Sequence, residues 1–431
     1  MGEKPLILSP MNSHSFLLKA IPRQRAAALL LFAITFVLSL RQLLRWIIHG
    51  DFFHPDSPML YSAATVSFNY IQFGAVRRGL AGTLVYLLHP NRMVGTAMFY
   101  VLSAAALSAL TSWIYARLTA ARPLRLAIFA LLLVCLFRRW GEDTGRPDLA
   151  VAALLSGAAI LMVHGRLGWA TALVASGVFV HETSGIYGLP LLAALLLDQR
   201  RYAQLSRRQW LHLAAGLCLP LLVYAGLGLM PRADHATMVH TVREALSEHK
   251  YVNWAIYFAI SGWRGVETSI CQNRTDPNYA LHVMSAALIV SMFVFSLAGR
   301  DRRMAALALL ASAPPLVFLS IIANDFTRWT EFAAMNVWLV CACSPGNADD
   351  ASDRGRGLGV LRALSAGALF LLLATTRIFP VREIFYAPSP TIEHWAERLG
   401  GPITPNLDIV LKRCDPGWLD FLDGPGESKP K

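Results

Sequence analysis

The sequence contains little charge. Only 15% of its 431 residues are Asp, Glu, Lys or Arg, whereas an ordinary soluble domain has about 25%. So few charges cannot cover the surface of a 47.3 kDa globule, and the mean hydropathy is +0.45. A simple soluble enzyme is therefore excluded, and an apolar content of 55% excludes disorder over most of the chain. The composition favours a protein with many membrane-spanning helices.

Several common signatures are also missing. The sequence has no P-loop, GxGxxG, HExxH or GxSxG pattern, so nucleotide hydrolysis and zinc proteolysis have no support. Six cysteines in 431 residues are too few for a disulfide scaffold, and no CxxC pair is present. The sequence also lacks an internal repeat, a feature of many transporters.

The sequence does contain a series of apolar runs. A bilayer core requires about 20 apolar residues in a helix. The longer uncharged runs are Met93–Ala116, Leu149–Gly165, Gln209–Pro231, Pro277–Gly299 and Met304–Asn324. The shorter runs are Ala26–Leu40, Leu126–Phe137, Leu167–Val180, Thr183–Leu197, Phe332–Ser344 and Ala363–Thr376. We therefore predict an all-α polytopic integral membrane protein with about 11 transmembrane helices.

These runs predict two unequal parts of the chain. Residues 1–379 form the predicted transmembrane domain, with large outer loops at 49–92 and 231–276. Residues 380–431 contain several prolines and two tryptophans. We expect this last segment to form a small C-terminal cap on the outer side.

The basic residues predict the orientation of the chain. If the N-terminus is cytoplasmic, the cytoplasmic segments hold 18 Lys and Arg in 69 residues, about twice the density found elsewhere, as the positive-inside rule requires. The net charge of +12 then reflects topology and does not indicate a nucleic-acid partner. The C-terminus is expected outside.

The same topology places the unusual polar residues at the outer ends of the helices. The first outer loop carries Asp51, Asp56, Arg77 and Arg78, and the later outer turns carry Arg146, Asp148, His181, Glu182, Asp325 and Arg328. Ionisable groups at the membrane boundary are costly, so they indicate a functional site. The His181–Glu182 pair interrupts an otherwise apolar stretch of 31 residues, which favours a function over an ordinary loop end.

These residue types suit a substrate with a phosphate head and a lipid tail. Arginine makes forked, bidentate contacts with phosphate. A carboxylate can serve as a general base on a sugar hydroxyl. An alternative for Asp148, His181 and Glu182 is to hold a divalent metal ion.

The order of these motifs resembles the GT-C superfamily of polytopic glycosyltransferases, which use polyprenyl-phosphate-linked sugars. The first outer loop carries Asp56, Tyr61, Ala64, Gly74, Arg77, Arg78 and Gly79 in a spaced D…Y…A…G…RRG-like pattern. A later turn has the GRxD-like sequence 145–148, and His181–Glu182 precedes a helix that contains Pro190. The resemblance covers residues 25–200 and, more weakly, residues 325–329. Many members have adjacent acids in the first loop, whereas here four residues separate Asp51 from Asp56.

The resemblance implies a function and a set of roles. The chain would transfer a sugar from a polyprenyl-phosphate donor to a lipid-linked or cell-envelope glycan acceptor, on the outer face of a bacterial inner membrane. Asp56 would be the catalytic base that deprotonates or orients the acceptor hydroxyl, because the Tyr61 and Ala64 spacing fits it, and Asp51 is the alternative. The arginines would bind the lipid phosphate, while Asp148, His181 and Glu182 would hold the sugar, the acceptor or a divalent ion.

Two other function classes remain open at this stage. A transporter or flippase for a lipid-linked saccharide would use the same arginines without a catalytic base. A polysaccharide polymerase would share the many spans and the basic outer loops. An O-acyltransferase would rely on a membrane histidine, for which His181 is the candidate.

The sequence offers a possible disulfide and a possible glycosylation site on the predicted outer side, and it settles neither. Cys271 and Cys414 are the cysteines predicted in outer aqueous regions, and an oxidising compartment would permit a bridge between them. Residues 273–275 form an N-glycosylation sequon, which matters in a host with a secretory pathway.

Overall fold

The computed structural model describes most of the chain as helices. The described residues are 22–54, 57, 59–74, 76, 78–118, 123–141, 145–198, 233–247, 249–275, 279–299, 301–323, 325–344, 356–375 and 407–423, with six single positions between 211 and 230. Helix accounts for 87% and no strand occurs among these residues. The predicted all-α class is therefore confirmed for this part of the chain.

The described helices are numbered here in chain order. They are α1 (Pro22–Ile48), α2 (Met59–Thr65), α3 (Tyr70–Phe73), α4 (Gly79–Leu88), α5 (Arg92–Ala116), α6 (Pro123–Trp140), α7 (Asp148–Val163), α8 (Leu167–Val180), α9 (Thr183–Asp198), α10 (His235–Leu246), α11 (Lys250–Ile260), α12 (Trp263–Thr275), α13 (Tyr279–Ala298), α14 (Arg302–Ile322), α15 (Phe326–Cys343), α16 (Arg356–Thr375), α17 (Leu407–Cys414) and α18 (Trp418–Asp423). A single 3-10 turn, Asp51–Phe53, follows α1.

The predicted apolar runs correspond to these helices. Ten of the eleven overlap a described helix over most of their length, with ends that differ by up to eight residues. The run Gln209–Pro231 lies almost wholly outside the described residues. Among the described residues, Arg25–Ile48, Arg92–Ala116 and Arg302–Ile322 are long and apolar enough to cross a membrane.

Helix α15 forms the centre of the bundle. Every residue from Phe332 to Cys341 is at most 1% exposed, and α15 packs against α6, α7, α9, α13 and α14. A helix that is apolar on all sides is buried on all sides. The polar first turn of α15 is therefore carried into the middle of the bundle at one end.

A buried asparagine satisfies the backbone of a proline-containing helix. Pro315 lies inside α14 and has no N–H to donate to the carbonyl of Ala311, four residues earlier. Asn336 of α15 is fully buried, and its Nδ2 donates to the Ala311 oxygen at 2.7 Å and to the Tyr187 oxygen at 2.9 Å. The asparagine therefore joins α9, α14 and α15 in the core.

Replacing Asn336 with leucine should destabilise the bundle. The change leaves the Ala311 carbonyl without a donor in an apolar core, which costs about 1–3 kcal/mol. Ser312→Ala is a matched control, because the Ser312 hydroxyl bonds only within its own helix, to the Ala308 oxygen. Thermal denaturation in detergent should lower the midpoint much more for Asn336→Leu, and equal midpoints would contradict this account.

Large apolar side chains cover the outside of the bundle. Leu29, Leu30 and Val37 of α1 are 58–69% exposed, and Val317 and Phe318 of α14 are at least 50% exposed. Contiguous exposed apolar surface of this kind indicates contact with another apolar phase. These faces suit the hydrocarbon of a bilayer.

Polar contacts group the described helix ends into two sets. Contacts at the predicted cytoplasmic end join Arg117 to His164, Arg303 to Asp198 and Arg362 to the Ser296 carbonyl. Each contact joins residues at the same predicted end. The contacts at the opposite end, described below, join the turns that the sequence places on the other side.

The 231–276 loop and the end of the chain pack together. A disulfide joins Cys271 of α12 to Cys414 of α17. The Asp415 carboxylate accepts two hydrogen bonds from Arg264 and one from the Tyr257 hydroxyl at 2.6 Å. Hydrogen bonding from Arg264 lowers the pKa of Asp415. The pair therefore stabilises the cap at neutral pH and loses that contribution as the pH falls through the lowered pKa.

Candidate functional site

Four residues predicted for the site form one ion-pair cluster. The Arg328 Nε donates to Asp148 at 2.6 Å, and a second Arg328 nitrogen binds the other Asp148 oxygen. The remaining Arg328 nitrogen reaches Asp325 at 3.1 Å, and Arg146 reaches the same Asp325 oxygen at 2.9 Å. We call Arg146, Asp148, Asp325 and Arg328 the four-residue cluster. It joins the first turns of α7 and α15.

The cluster is deeply buried and carries no net charge. The side chains of Asp148 and Arg328 are 5% and 11% exposed. A buried charge that loses its partner costs about 3–5 kcal/mol. The pairing explains how α15, which is buried along its length, can begin with a charged turn. It also explains why α15 begins six residues before the predicted run at Phe332.

A glycine turn brings the first outer loop against this cluster. Gly145 has φ +89, and a Cβ there would lie 2.7 Å from the Ser62 Cβ, so only glycine fits. The Tyr61 ring lies 5.5 Å from the guanidinium of Arg146, within the range of a cation–π contact. The GRxD-like turn and α2 are thus one packed unit.

Arg78 and Glu182 form a second, partly buried pair. The Arg78 Nε and Nη2 donate to the two Glu182 oxygens at 3.1 and 2.6 Å. The two side chains are 17% and 14% exposed. Arg78 also has φ +61, a conformation that strains a residue with a Cβ by about 1–3 kcal/mol and that clusters at functional sites. The bidentate contact holds this strained residue at the start of α4.

His181 supports the turn between α8 and α9. The side chain is 1% exposed, and its Nδ1 accepts from the Thr183 backbone N–H at 3.2 Å. The Nδ1 also lies 3.7 Å from a Glu182 oxygen. The buried ring thus braces the turn that carries Glu182.

The metal-binding alternative for Asp148, His181 and Glu182 does not match the geometry. No group of three His, Cys, Asp or Glu residues in the described part of the chain is placed to hold a metal ion. Asp148 binds Arg328 and Glu182 binds Arg78. The two carboxylates thus serve different arginines instead of converging on one point.

Three of the predicted residues are not in these pairs. Asp51 lies in the 3-10 turn after α1 and is exposed, and no described residue forms an ion pair with it. Asp56 and Arg77 lie outside the described residues. Their flanking residues are ordered by local bonds, such as the Ser57 N–H to the His54 oxygen at 2.9 Å.

Two further residues support the site from neighbouring helices. Arg139 at the end of α6 pairs with Glu331 of α15 at 3.4 Å, both side chains being 8% exposed. These two residues are not among the candidates predicted from the sequence. The i, i+3 spacing of Arg328 and Glu331 places both near one side of a helix, and this is the one local signal that groups Glu331 with the site.

The sequon asparagine has a structural role. Asn273 is 6% exposed, and its Nδ2 donates to the carbonyls of Ser320 and Ala323 at 3.1 and 2.9 Å. These are the last carbonyls of α14, just before Asp325. The amide caps this helix end, so the nitrogen that a glycan would use is already bonded inside the protein.

Comparison of the chain with protein-family models, curated proteins and solved structures found no match.

Proposed function

We propose that this chain is a GT-C-like membrane glycosyltransferase with about 11 transmembrane helices. It takes a sugar from a polyprenyl-phosphate donor and transfers it to a lipid-linked or cell-envelope glycan acceptor. The reaction lies at the outer face of a bacterial inner membrane, with the N-terminus in the cytoplasm and the C-terminus outside. The observation that carries the proposal is the convergence of arginine–carboxylate pairs from four separate turns at one end of the bundle.

The two sets of pairs suit different tasks. The four-residue cluster links two arginines and two carboxylates in a chain, so it positions the starts of α7 and α15. The Arg78 guanidinium comes from the first outer loop and meets one carboxylate, that of Glu182. We assign Arg78, together with the adjacent Arg77, to the phosphate of the donor.

The Arg78–Glu182 pair supplies a mechanism of exchange. In the described state the Arg78 fork is occupied by a carboxylate of matching geometry. A phosphate offers the same bidentate acceptor with more charge, so it would replace Glu182 at Arg78. The released Glu182 carboxylate then accepts hydrogen bonds from sugar hydroxyls, and Asp56 removes the proton of the attacking hydroxyl. Donor binding thus prepares the acceptor site.

The other function classes receive less support from the geometry. A transporter of this size is expected to expose unwound backbone to its substrate near the midplane, but the Ala311 carbonyl freed by Pro315 is bonded by Asn336. An O-acyltransferase requires an accessible membrane histidine, and the His181 side chain is 1% exposed.

Sugar transfer by the purified protein in lipid nanodiscs tests the proposal. With a radiolabelled polyprenyl-phosphate sugar and a membrane-lipid acceptor extract, Asp56→Asn should lower the rate by about 10²–10⁴-fold, the usual contribution of a general base. Asp51→Asn is the matched control in the same loop and should keep most of the activity. Equal activity in both variants and the wild type would remove Asp56 from the reaction, and absence of transfer by the wild type would remove the function.

A further inference from the structure

Arg92 is a buried cation without a counter-charge. The residue is 7% exposed, yet no carboxylate among the described residues lies within ion-pair distance of it. One guanidinium nitrogen donates to the Gln72 side-chain oxygen, and the guanidinium lies 4.5 Å from the centre of the Tyr86 ring. The other terminal nitrogen, Nη1, is buried and has no hydrogen-bond partner.

The position of Arg92 in its helix raises the free-energy cost of a missing counter-charge. It is the first residue of α5, a helix of 25 residues, and the N-terminal end of a helix carries a partial positive charge. Another buried arginine, Arg362, has the opposite setting, because it donates to the Ser296 and Leu297 carbonyls at the negative end of α13. The described part of the chain therefore supplies no anion for Arg92, and one from a bound molecule would stabilise it.

The surroundings indicate that the anion belongs to a lipid. The two residues that cover the guanidinium, Gln72 and Tyr86, each precede or follow an exposed apolar side chain in the sequence. Ile71 is 56% exposed and Leu87 is 67% exposed. Short helices with exposed apolar residues beside a basic group lie in the membrane interface, where the phosphates of lipids are concentrated.

We infer that Arg92 binds the phosphate group of a lipid, with Gln72 as the side chain that the phosphate displaces. Gln72 is itself exposed. Its side-chain oxygen also accepts from the Asn69 Nδ2 at 2.8 Å, and that amide keeps its bond to the Ser67 carbonyl at 3.1 Å when Gln72 leaves the guanidinium. A phosphate oxygen then accepts from the nitrogen that Gln72 vacates and from Nη1. Phosphate suits this fork because it is bidentate and charged. The site is separate from Arg78 and does not depend on the proposed transferase activity.

The inference is tested by comparing the thermal stability of Arg92→Gln with that of the wild type, with and without lipid. In dodecyl maltoside without added lipid, Arg92→Gln should be as stable as the wild type or more stable, because it removes an uncompensated buried charge. With saturating phosphatidylglycerol or farnesyl phosphate, the wild type should gain thermal stability and Arg92→Gln should not, so the order reverses. Arg45→Gln is the matched control, since Arg45 is also at the outer end of a helix but is exposed; it should gain as much as the wild type.

Each arm of the experiment has a defined meaning. A gain with phosphatidylglycerol identifies a membrane-lipid headgroup as the source, and a gain limited to farnesyl phosphate identifies a polyprenyl phosphate. An equal gain with inorganic phosphate alone would overturn the assignment to a lipid. Arg92→Gln being less stable than the wild type by the same amount in all conditions would show a purely structural arginine and overturn the inference.

Discussion

Replacing Arg328 with methionine is expected to lower the free energy of unfolding by about 3–5 kcal/mol, the cost of leaving a buried charge without its partner. Methionine keeps the apolar stem and removes the guanidinium. The Asp148 carboxylate, with its side chain 5% exposed, then remains charged in a dry site. Denaturation in mixed micelles measures the loss, and Arg166→Met, at an exposed position of the opposite end, should change little.

A second substitution separates the loss of a partner from a general loss of packing. In the variant Arg328→Met with Asp148→Asn, the orphan carboxylate is neutral, and at least half of the lost stability should return. Asp325 keeps Arg146 as its partner in both variants. If the double variant is as unstable as Arg328→Met alone, the damage comes from lost packing and the ion pair does not govern the start of α15.

Removing the Cys271–Cys414 disulfide is expected to cost about 2–5 kcal/mol. The bridge closes a loop between residues 143 apart in the sequence, so its loss frees a long segment of the unfolded chain. Cys271→Ser should lower the denaturation midpoint and increase proteolysis of α17 and α18. Cys218→Ser removes a free, exposed thiol and is the matched control.

The same pair of cysteines tests the sidedness of the protein. A disulfide persists in an oxidising compartment, so both cysteines should react with a membrane-impermeant maleimide only after reduction, and from outside the cell. Reaction without prior reduction would show that the bridge does not form. Reaction restricted to the cytoplasmic side would reverse the predicted orientation.

The sequence predicts the helices and the end of the bundle at which the candidate site lies. It does not predict which charged residues pair with each other. Hydrophobic length identifies helices because the bilayer requires it, and the alternation of spans places Asp148 and Asp325 at the same end. The partners themselves are far apart in the sequence, 180 residues for Arg328 and Asp148 and 104 for Arg78 and Glu182. No local periodicity encodes contacts at that separation, so they depend on tertiary packing.

The start of α15 shows a related limit. The apolar run predicts a helix from Phe332, because Arg328 and Glu331 are unfavourable in lipid when isolated. The structure begins the helix at Phe326, since Asp148, Asp325 and Arg139 neutralise this turn. The role of Asn336 is not predictable from its own helix for the same reason. Its side chain bonds the carbonyl that Pro315 leaves free, and Pro315 lies on another helix.

Mass spectrometry of the lipids that co-purify with the protein tests the central claim most directly. The wild type should carry a polyprenyl-phosphate species, and Arg78→Gln should lose it while remaining folded. Arg92→Gln, measured in parallel, keeps this test separate from the second lipid site. Absence of any polyprenyl phosphate from the wild type, or its full retention in Arg78→Gln, would contradict the assignment of Arg78 to the donor phosphate.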